Sequence, residues 1–278
     1  MVHNELDFLT GDGLKIYGQS WLPDKDCECI TCVIHGLGDH SGRYAQFAKF
    51  MNEHNIGVFA MDLRGHGKSE GRKGHTPEYG YLLSDIELLI VEIRKRYLDT
   101  PIILFGHSMG GNIVANFVLR HKSKEITGAI LSASAFRLTT QPPRLLHQLL
   151  RFISKIFPTL SFSEKADPMD LTRDPEIGMA YLNDPLIHEK ITAKLYVSFS
   201  DAADWAMKNA NLLCYPTLIY HGGEDCFTSW EASKEFADNA GENAEFKLWE
   251  GLRHEPHNEM ERNDVLKFQS EWIHKILK

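Results

Sequence analysis

The stretch 101–120, PIILFGHSMGGNIVANFVLR, passes from a strand pattern into a helical pattern with only the short segment GHSMG between them. The first part is an apolar run typical of a buried strand, and NIVANFVLR has the spacing of a helix. The turn between them must be tight. Gly106 and Gly110 remove the side chains that would collide in such a turn. We therefore predict a sharp strand-to-helix corner with Ser108 at its tip.

The corner carries the pattern G-x-S-x-G, which between a strand and a helix forms a nucleophile elbow. Such a turn strains the serine backbone and projects its hydroxyl over the edge of the sheet. Ser108 also lies at a helix N-terminus, where free N–H groups and the helix dipole favour developing negative charge. We therefore predict a serine nucleophile at Ser108, with the Met109 N–H as one donor of an oxyanion hole.

A serine nucleophile needs an acid that orients its base, and after an elbow of this kind the acid follows a later strand. The strand pattern PTLIYHGGED (216–225) ends in two carboxylates. Asp225 is the predicted acid, and Glu224 is the alternative.

The base is expected last in the chain, in a loop behind another strand. The strand pattern EFKLWEG (245–251) is followed by two histidines. His254 lies three residues after Gly251, in a loop short enough to fold back over Ser108, whereas His257 lies nearer the final helix. His254 is the predicted base, and His257 is the alternative.

A second oxyanion donor is expected in the loop after an early strand. HGLGDHSGRY (35–44) begins where the strand pattern TCVIHG ends. Its glycines allow the backbone to turn toward Ser108. The Leu37 N–H is therefore the predicted second donor, with a plain strand exit as the alternative.

Apolar runs typical of buried strands alternate along the chain with longer segments of helical spacing. This alternation predicts crossover units on a mostly parallel central sheet with flanking helices. The early residues 7–23 instead alternate around a turn at Gly11 to Gly13, which predicts an antiparallel pair at the start of the sheet. The strand runs are CITCVIHG (29–36), IGVFAMD (56–62), PIILFGHS (101–108), GAILSAS (128–134), PTLIYHGGED (216–225) and EFKLWEG (245–251).

The alternation stops after Phe136 and resumes near Lys190. No run of strand residues occurs between them, and prolines interrupt the stretch, among them Pro158, Pro168, Pro175 and Pro185. We predict a helical cap at residues 137–190, inserted between the two core segments 1–136 and 191–278.

Residues 143–157 of this cap form the pattern of a strongly amphipathic helix that Pro158 ends. From Arg137 to Ser163 every charged residue is basic, although the whole chain has a net charge of −8. The first expectation is that the apolar face packs on the core. The alternative is an interfacial helix that faces lipid or forms the mouth of an acyl pocket. The apolar face holds Leu145, Leu146, Leu149, Leu150, Phe152, Ile153, Ile156 and Phe157.

The bulk composition narrows the class of protein. With 43% hydrophobic and 24% charged residues, the 278-residue chain has the composition of a globular protein that buries a sizeable core. The acidic net charge and the lack of a basic stripe argue against nucleic acid as a partner. We find no signal-peptide pattern and no apolar run of about eighteen residues, so no membrane span is predicted.

The cysteines indicate a reducing compartment. The count of five is odd, and Cys27, Cys29 and Cys32 crowd together without a matching second cluster. This pattern argues against a disulfide framework and for a cytoplasmic protein. These thiols with His35 are a conceivable metal site, but structural zinc requires four well-spaced ligands. We predict no metal and no organic cofactor.

Six segments resemble, in their order and spacing, the monoacylglycerol lipase and lysophospholipase-like branch of the α/β-hydrolase fold. They are HGLGDHSGRY (35–44), MDLRGHGKSEG (61–71), GHSMGG (106–111), LNDPL (182–186), HGGED (221–225) and GLRHEPHNE (251–259). The resemblance covers nearly the whole chain. It implies an α/β-hydrolase fold with an inserted helical cap, and a structural rather than chemical role for Asp62 and Arg64. It also implies the triad Ser108, Asp225 and His254, with oxyanion donors at Leu37 and Met109.

The resulting hypothesis is a serine hydrolase that releases a fatty acid from a single-chain acyl lipid, with monoacylglycerol as the first candidate substrate. A lysophospholipid or a short soluble ester remains an alternative substrate for the same triad. A charged head group would need a basic pocket, and four cap residues supply basic side chains: Arg137, Arg144, Arg151 and Lys155. A remote alternative is a non-catalytic protein that binds an apolar ligand. The oligomeric state and any peripheral membrane contact through residues 143–157 are left open.

Overall fold

The computed structural model describes residues 1–163 and 166–278. Its strands are β1 (Val2–Leu9), β2 (Lys15–Leu22), β3 (Cys29–Ile34), β4 (Ile56–Met61), β5 (Ile102–His107), β6 (Gly128–Ser132), β7 (Ser161–Ser163), β8 (Lys190–Thr192), β9 (Thr217–Gly222) and β10 (Ala244–Trp249). Its helices are α1 (Ala45–Glu53), α2 (Tyr79–Arg94), α3 (Met109–Arg120), α4 (Arg144–Ile156), α5 (Pro168–Leu171), α6 (Pro175–Asn183), α7 (Ala193–Lys208), α8 (Trp230–Ala240) and α9 (Arg262–Ile276).

Eight of these strands form one central sheet in the order β1-β2-β4-β3-β5-β6-β9-β10. From β4 to β10 every neighbouring pair is parallel. β1 and β2 pair antiparallel, with Val2 opposite Leu22 and Leu9 opposite Lys15, and β2 is also antiparallel to β4. The prediction of a mostly parallel sheet that begins with an antiparallel pair is confirmed.

The inner strands are apolar along their whole length because helices cover both faces of the sheet. Every residue of β3, β4, β5, β6 and β9 is buried. Helices α2, α3 and α8 pack on one face, while α1 and α9 pack on the other. In a sheet of this kind ligands bind at the carboxyl ends of the strands, which is where β5, β9 and β10 lead into their loops.

The cap is not purely helical. β7 pairs antiparallel with β8, with Ser161 opposite Thr192, to form a separate two-stranded sheet. The expectation that this stretch holds no strand is wrong, because strands of three residues are too short to show a periodicity. The exact division at residues 136 and 190 stays a prediction.

The amphipathic helix predicted over residues 143–157 is α4, and it faces the opposite way from the first expectation. Most of its apolar side chains are exposed, with Leu145 at 78% and Phe152 at 62% of full exposure. The polar side contacts α7, where Arg151 pairs with Asp201. The expectation that the apolar face packs on the core is therefore wrong. Within the described parts of the chain, no helix combines the length and apolar character needed to cross a bilayer.

Candidate active site

Ser108 joins β5 to α3 with φ 54° and ψ −118°. Positive φ is uncommon outside glycine and stores strain. The Ser108 N–H donates to the Ser132 carbonyl over 2.9 Å, which ties the corner to β6. A side chain on Gly106 would collide with the backbone of Gly110, and one on Gly110 with the carbonyl of Ile34. The space around the turn therefore accounts for both glycines of the motif.

Three predicted residues from three loops meet at this corner. Nε2 of His254 lies 3.0 Å from Oγ of Ser108, and Nδ1 of His254 lies 2.7 Å from Oδ2 of Asp225. Both distances are those of hydrogen bonds. The order along the chain, serine then aspartate then histidine, brings the loops after β5, β9 and β10 together. This geometry is the one in which a histidine can take a proton from a serine while a carboxylate orients the ring.

The two alternative residues occupy other positions. Glu224 is exposed. The ring of His257 is buried and stacks on Tyr44, with ring centroids 5.4 Å apart. Burial lowers the pKa of His257 to about 4, so this ring is neutral at pH 7. Neither residue takes part in the contact between serine, histidine and aspartate.

The carboxylate of Asp225 accepts five hydrogen bonds. Oδ1 accepts from the N–H groups of Phe227 and Thr228, and Oδ2 accepts from His221, His254 and the Thr228 hydroxyl. Burial alone would raise the pKa of Asp225. The charge of His254 and the hydrogen bonds from His221 and His254 outweigh burial and hold that pKa well below its ordinary value. Asp225 is therefore ionised at neutral pH.

His254 is set apart electrostatically from its neighbouring histidines. Burial by itself would lower the pKa of His254, but the charge of Asp225, its hydrogen bond and the charge of Glu255 raise that pKa above the ordinary value. The ring of His107 lies 4.8 Å away, and burial holds its pKa well below the ordinary value. Of these two rings, His254 is the one arranged to accept and release a proton near neutral pH.

The loop that carries Leu37 lies directly against the nucleophile. A Cβ built on Gly36 would lie 3.2 Å from Cβ of Ser108. The neighbouring Gly38 has φ +73°, and its carbonyl accepts from the His188 N–H over 3.1 Å. Met109 is the first residue of α3, so its N–H has no acceptor inside the helix. Leu37, Ser108 and Met109 line the same cavity, and the two backbone N–H groups as oxyanion donors stay a prediction.

Ser108 opens into a cavity of about 570 Å³, within the range of roughly 300–1,000 Å³ typical of small-molecule sites. The cavity is bounded by the core loops and by the cap. Its apolar lining includes Leu138, Phe162, Leu171, Ile191, Phe199 and Phe227, and its charged lining includes Asp39, Arg43, Asp167, Asp170, Glu189 and Glu255. The basic cap residues considered above as partners for a charged head group lie outside this lining. They are Arg137, Arg144, Arg151 and Lys155.

Comparison with known proteins identifies the family. Residues 26–261, most of the chain, match the family Hydrolase_4, described as serine aminopeptidase, S33. The chain belongs to the S33 serine aminopeptidase family. The resemblance to α/β-hydrolase serine hydrolases is thereby confirmed, and the protein is a serine hydrolase with a mostly parallel central sheet and an inserted cap.

Several known proteins align with nearly the whole chain. The monoacylglycerol lipase of Mycolicibacterium smegmatis is 30% identical over 97% of this chain and 96% of its own length. An uncharacterised abhydrolase domain-containing protein of Dictyostelium discoideum is 28% identical over 98% of the chain, which spans only 29% of that longer protein. The crystal structure of Paleococcus ferrophilus monoacylglycerol lipase superposes on this chain with a TM-score of 0.83 and is 29% identical in sequence. The superposition covers 99% of this chain and 100% of the lipase chain.

Sequence reasoning on this S33 family member missed a buried ionic cluster behind His254. Arg43 donates to both carboxylate oxygens of Glu255, and it also pairs with Asp39 over 3.1 Å. The Glu255 N–H donates to the carbonyl of Leu171, which links the histidine loop to the cap. The available signals were the position of Glu255 directly after His254 and the i,i+4 spacing of Asp39 and Arg43.

Proposed function

We propose that this serine hydrolase cleaves the carboxylic ester of a lipid with one acyl chain, and that monoacylglycerol is its substrate. The observation that carries the proposal is the continuous contact from Ser108 through His254 to Asp225 at the base of a large, partly apolar cavity. The relatives named as monoacylglycerol lipases over nearly the whole chain support the substrate class.

In the proposed reaction, His254 Nε2 takes the proton of Ser108 Oγ as that oxygen attacks the ester carbonyl. The N–H groups of Leu37 and Met109 stabilise the negative oxygen that forms. His254 then gives the proton to the departing alcohol oxygen, and an acyl group remains on Ser108. A water molecule deprotonated by His254 attacks this acyl-enzyme and releases the fatty acid. Three side chains and two backbone N–H groups supply every step.

The charges around the cavity favour a neutral alcohol over a phosphate head group. Among the described lining residues, Arg43 is the one arginine or lysine, and Glu255 and Asp39 already pair with it. Carboxylates on Asp170 and Glu189 add negative charge to the lining. A phosphate would therefore meet repulsion without a free cation, whereas glycerol hydroxyls can donate to carboxylates.

We also propose that α4 contacts the membrane surface that supplies the substrate. Its exposed apolar side includes Phe152 and continues into Phe157 directly after the helix, both more than 60% exposed. The flanking charges from Arg137 to Ser163 are basic in the described residues of this segment. A helix with one apolar and one basic side binds in the interface of anionic bilayers. The cytoplasmic location and the segment boundaries stay predictions.

The test is fatty acid release from 1-oleoylglycerol by the native protein beside a folded Ser108→Ala variant. We expect release by the native protein only. Parallel assays use 1-oleoyl-lysophosphatidylcholine and p-nitrophenyl butyrate. Release from the lysophospholipid alone would replace the proposed substrate. Hydrolysis of none of the three esters, in a protein shown to be folded by circular dichroism, would contradict the esterase function.

A further inference from the structure

A second histidine contacts the carboxylate of Asp225. His221 lies near the end of β9, is completely buried, and precedes Asp225 by four residues. Its Nε2 lies 2.9 Å from Oδ2 of Asp225 and 3.0 Å from the carbonyl of Thr228. Its Nδ1 lies 2.9 Å from Oγ of Ser233 on α8. The chemistry proposed above uses none of these contacts.

The hydrogen-bond partners of His221 determine which of its ring nitrogens carries the proton. Two acceptors, a carboxylate and a carbonyl, face Nε2, so this nitrogen carries the hydrogen. Nδ1 then accepts from the hydroxyl of Ser233. Both ring nitrogens thereby have a hydrogen-bond partner, as buried polar atoms in proteins usually do. His221 is thus a fixed Nε2–H donor that points at Asp225.

Oδ2 of Asp225 is the oxygen that also accepts from Nδ1 of His254. Thr228 donates its hydroxyl to the same oxygen over 2.8 Å. Two donors besides the base therefore hold this oxygen in place and disperse part of its charge. Without them, Asp225 would interact more strongly with a protonated His254 and would orient it less firmly.

We propose that His221 is a positioning residue of the proposed triad: its Nε2–H fixes Oδ2 of Asp225 toward His254 and limits how strongly Asp225 stabilises the protonated base. The role rests on the proposed esterase chemistry. The charged and titratable groups that face His254 include Asp225, Glu255, Arg43, His107 and His257. Those near His221 include Asp225, His254 on the same carboxylate oxygen and, at longer range, Glu231.

The experiment compares the pH dependence of kcat/KM for p-nitrophenyl butyrate in the native protein and three variants. His221→Leu removes the donor, and His221→Gln keeps an amide donor of similar reach. Ser233→Ala removes the partner on the other ring nitrogen and is the matched control. The rate at which a fluorophosphonate labels Ser108 is measured over the same pH range, as a readout that needs no turnover.

For His221→Leu we expect the acidic limb of kcat/KM to move to higher pH by about half a unit, because a less neutralised Asp225 raises the pKa of His254. The plateau should fall by about tenfold, as expected for one lost hydrogen bond to a charged group, with KM changed less than about twofold. His221→Gln should restore the position of the limb, and Ser233→Ala should leave it in place.

An unmoved acidic limb in His221→Leu, with full native activity present, would overturn the positioning role while leaving the esterase function intact. If His221→Leu does not fold, Thr228→Val serves as the second variant. It removes the other donor to Oδ2 without changing the side-chain shape, and it should shift the limb in the same direction. A native protein inert to both the ester and the fluorophosphonate would overturn the triad, and this role with it.

Discussion

The guanidinium of Arg43 holds the carboxylate of Glu255 through two hydrogen bonds of 2.8 and 2.7 Å. The two residues are 212 positions apart in the sequence, and Glu255 directly follows His254. The pair therefore joins the loop after β3 to the loop that carries the proposed base. Because Glu255 is 3% exposed, water screens this ion pair little.

Removal of this carboxylate charge should destabilise the fold. We expect Glu255→Gln to lower the free energy of unfolding by about 3 kcal/mol at pH 7, since it leaves a buried guanidinium poorly compensated. Although burial raises the pKa of Glu255, the charge and hydrogen bonds of Arg43 hold it below the ordinary value. The stabilisation is therefore complete above the ordinary glutamate pKa of about 4.3 and is lost as the pH falls toward the folded-state pKa. The measurement is urea unfolding of the native protein and Glu255→Gln at pH 7 and pH 4. The difference in their free energies of unfolding should be smaller at pH 4, and an equal difference at both pH values would contradict this account.

Replacement of the proposed triad acid should impair turnover far more than folding. We expect Asp225→Asn to reduce kcat by about 10⁴-fold, because an amide no longer holds His254 in the tautomer that accepts the serine proton. The measurement is kcat for p-nitrophenyl butyrate, with circular dichroism as the control for folding. Glu224→Gln is the matched variant at the adjacent exposed carboxylate and should retain native kcat. Equal losses in the two variants would argue against Asp225 as the acid.

The pH dependence of activity should reflect the environment of His254. Its pKa lies above the ordinary histidine value of about 6.5, because Asp225 stabilises the charged ring more than burial disfavours it. The base works only when neutral. Activity is therefore expected to fall as the pH drops through a midpoint above about 6.5. A midpoint below that value, with chemistry shown to be rate limiting, would contradict the assignment.

The exposed apolar face of α4 should contribute to vesicle binding and not to hydrolysis of a soluble ester. The paired change Leu149→Glu and Phe152→Glu should lower binding to phosphatidylcholine and phosphatidylglycerol vesicles by at least about tenfold, because each apolar side chain contributes roughly 1.5–3 kcal/mol when buried. Hydrolysis of soluble p-nitrophenyl butyrate should stay within about twofold of native. Leu98→Glu, at a leucine 75% exposed outside the cap, is the control. Equal vesicle binding by the native protein, the paired variant and the control would exclude α4 as the contact.

Most of the central sheet could be predicted because its strands carry their own signal. Continuous apolar runs such as residues 102–105 mark strands buried on both faces, and the glycines around Ser108 mark a turn that only small residues fit. The proposed triad could be located for a related reason. Each of its members follows a strand, and the carboxyl ends of parallel strands meet at one edge of the sheet.

Other features depend on contacts that no local pattern encodes. Periodicity shows which side of α4 is apolar, but the partner that covers a helix is decided by surrounding elements, here through Arg151 and Asp201. The three-residue strands β7 and β8 lie 27 or more positions apart and are defined by their pairing with each other. His221 reads as an ordinary strand residue until the turn to Asp225 brings its ring onto the carboxylate.

The positive φ at Ser108 lowers the stability of the fold at the same position that supplies the proposed nucleophile. A non-glycine residue in such a conformation costs about 1–3 kcal/mol, which glycine would largely recover. Directed evolution that selects for heat resistance alone would favour Ser108→Gly, a more robust protein without its proposed nucleophile. A variant library selected for thermostability must therefore be screened for ester cleavage in the same round.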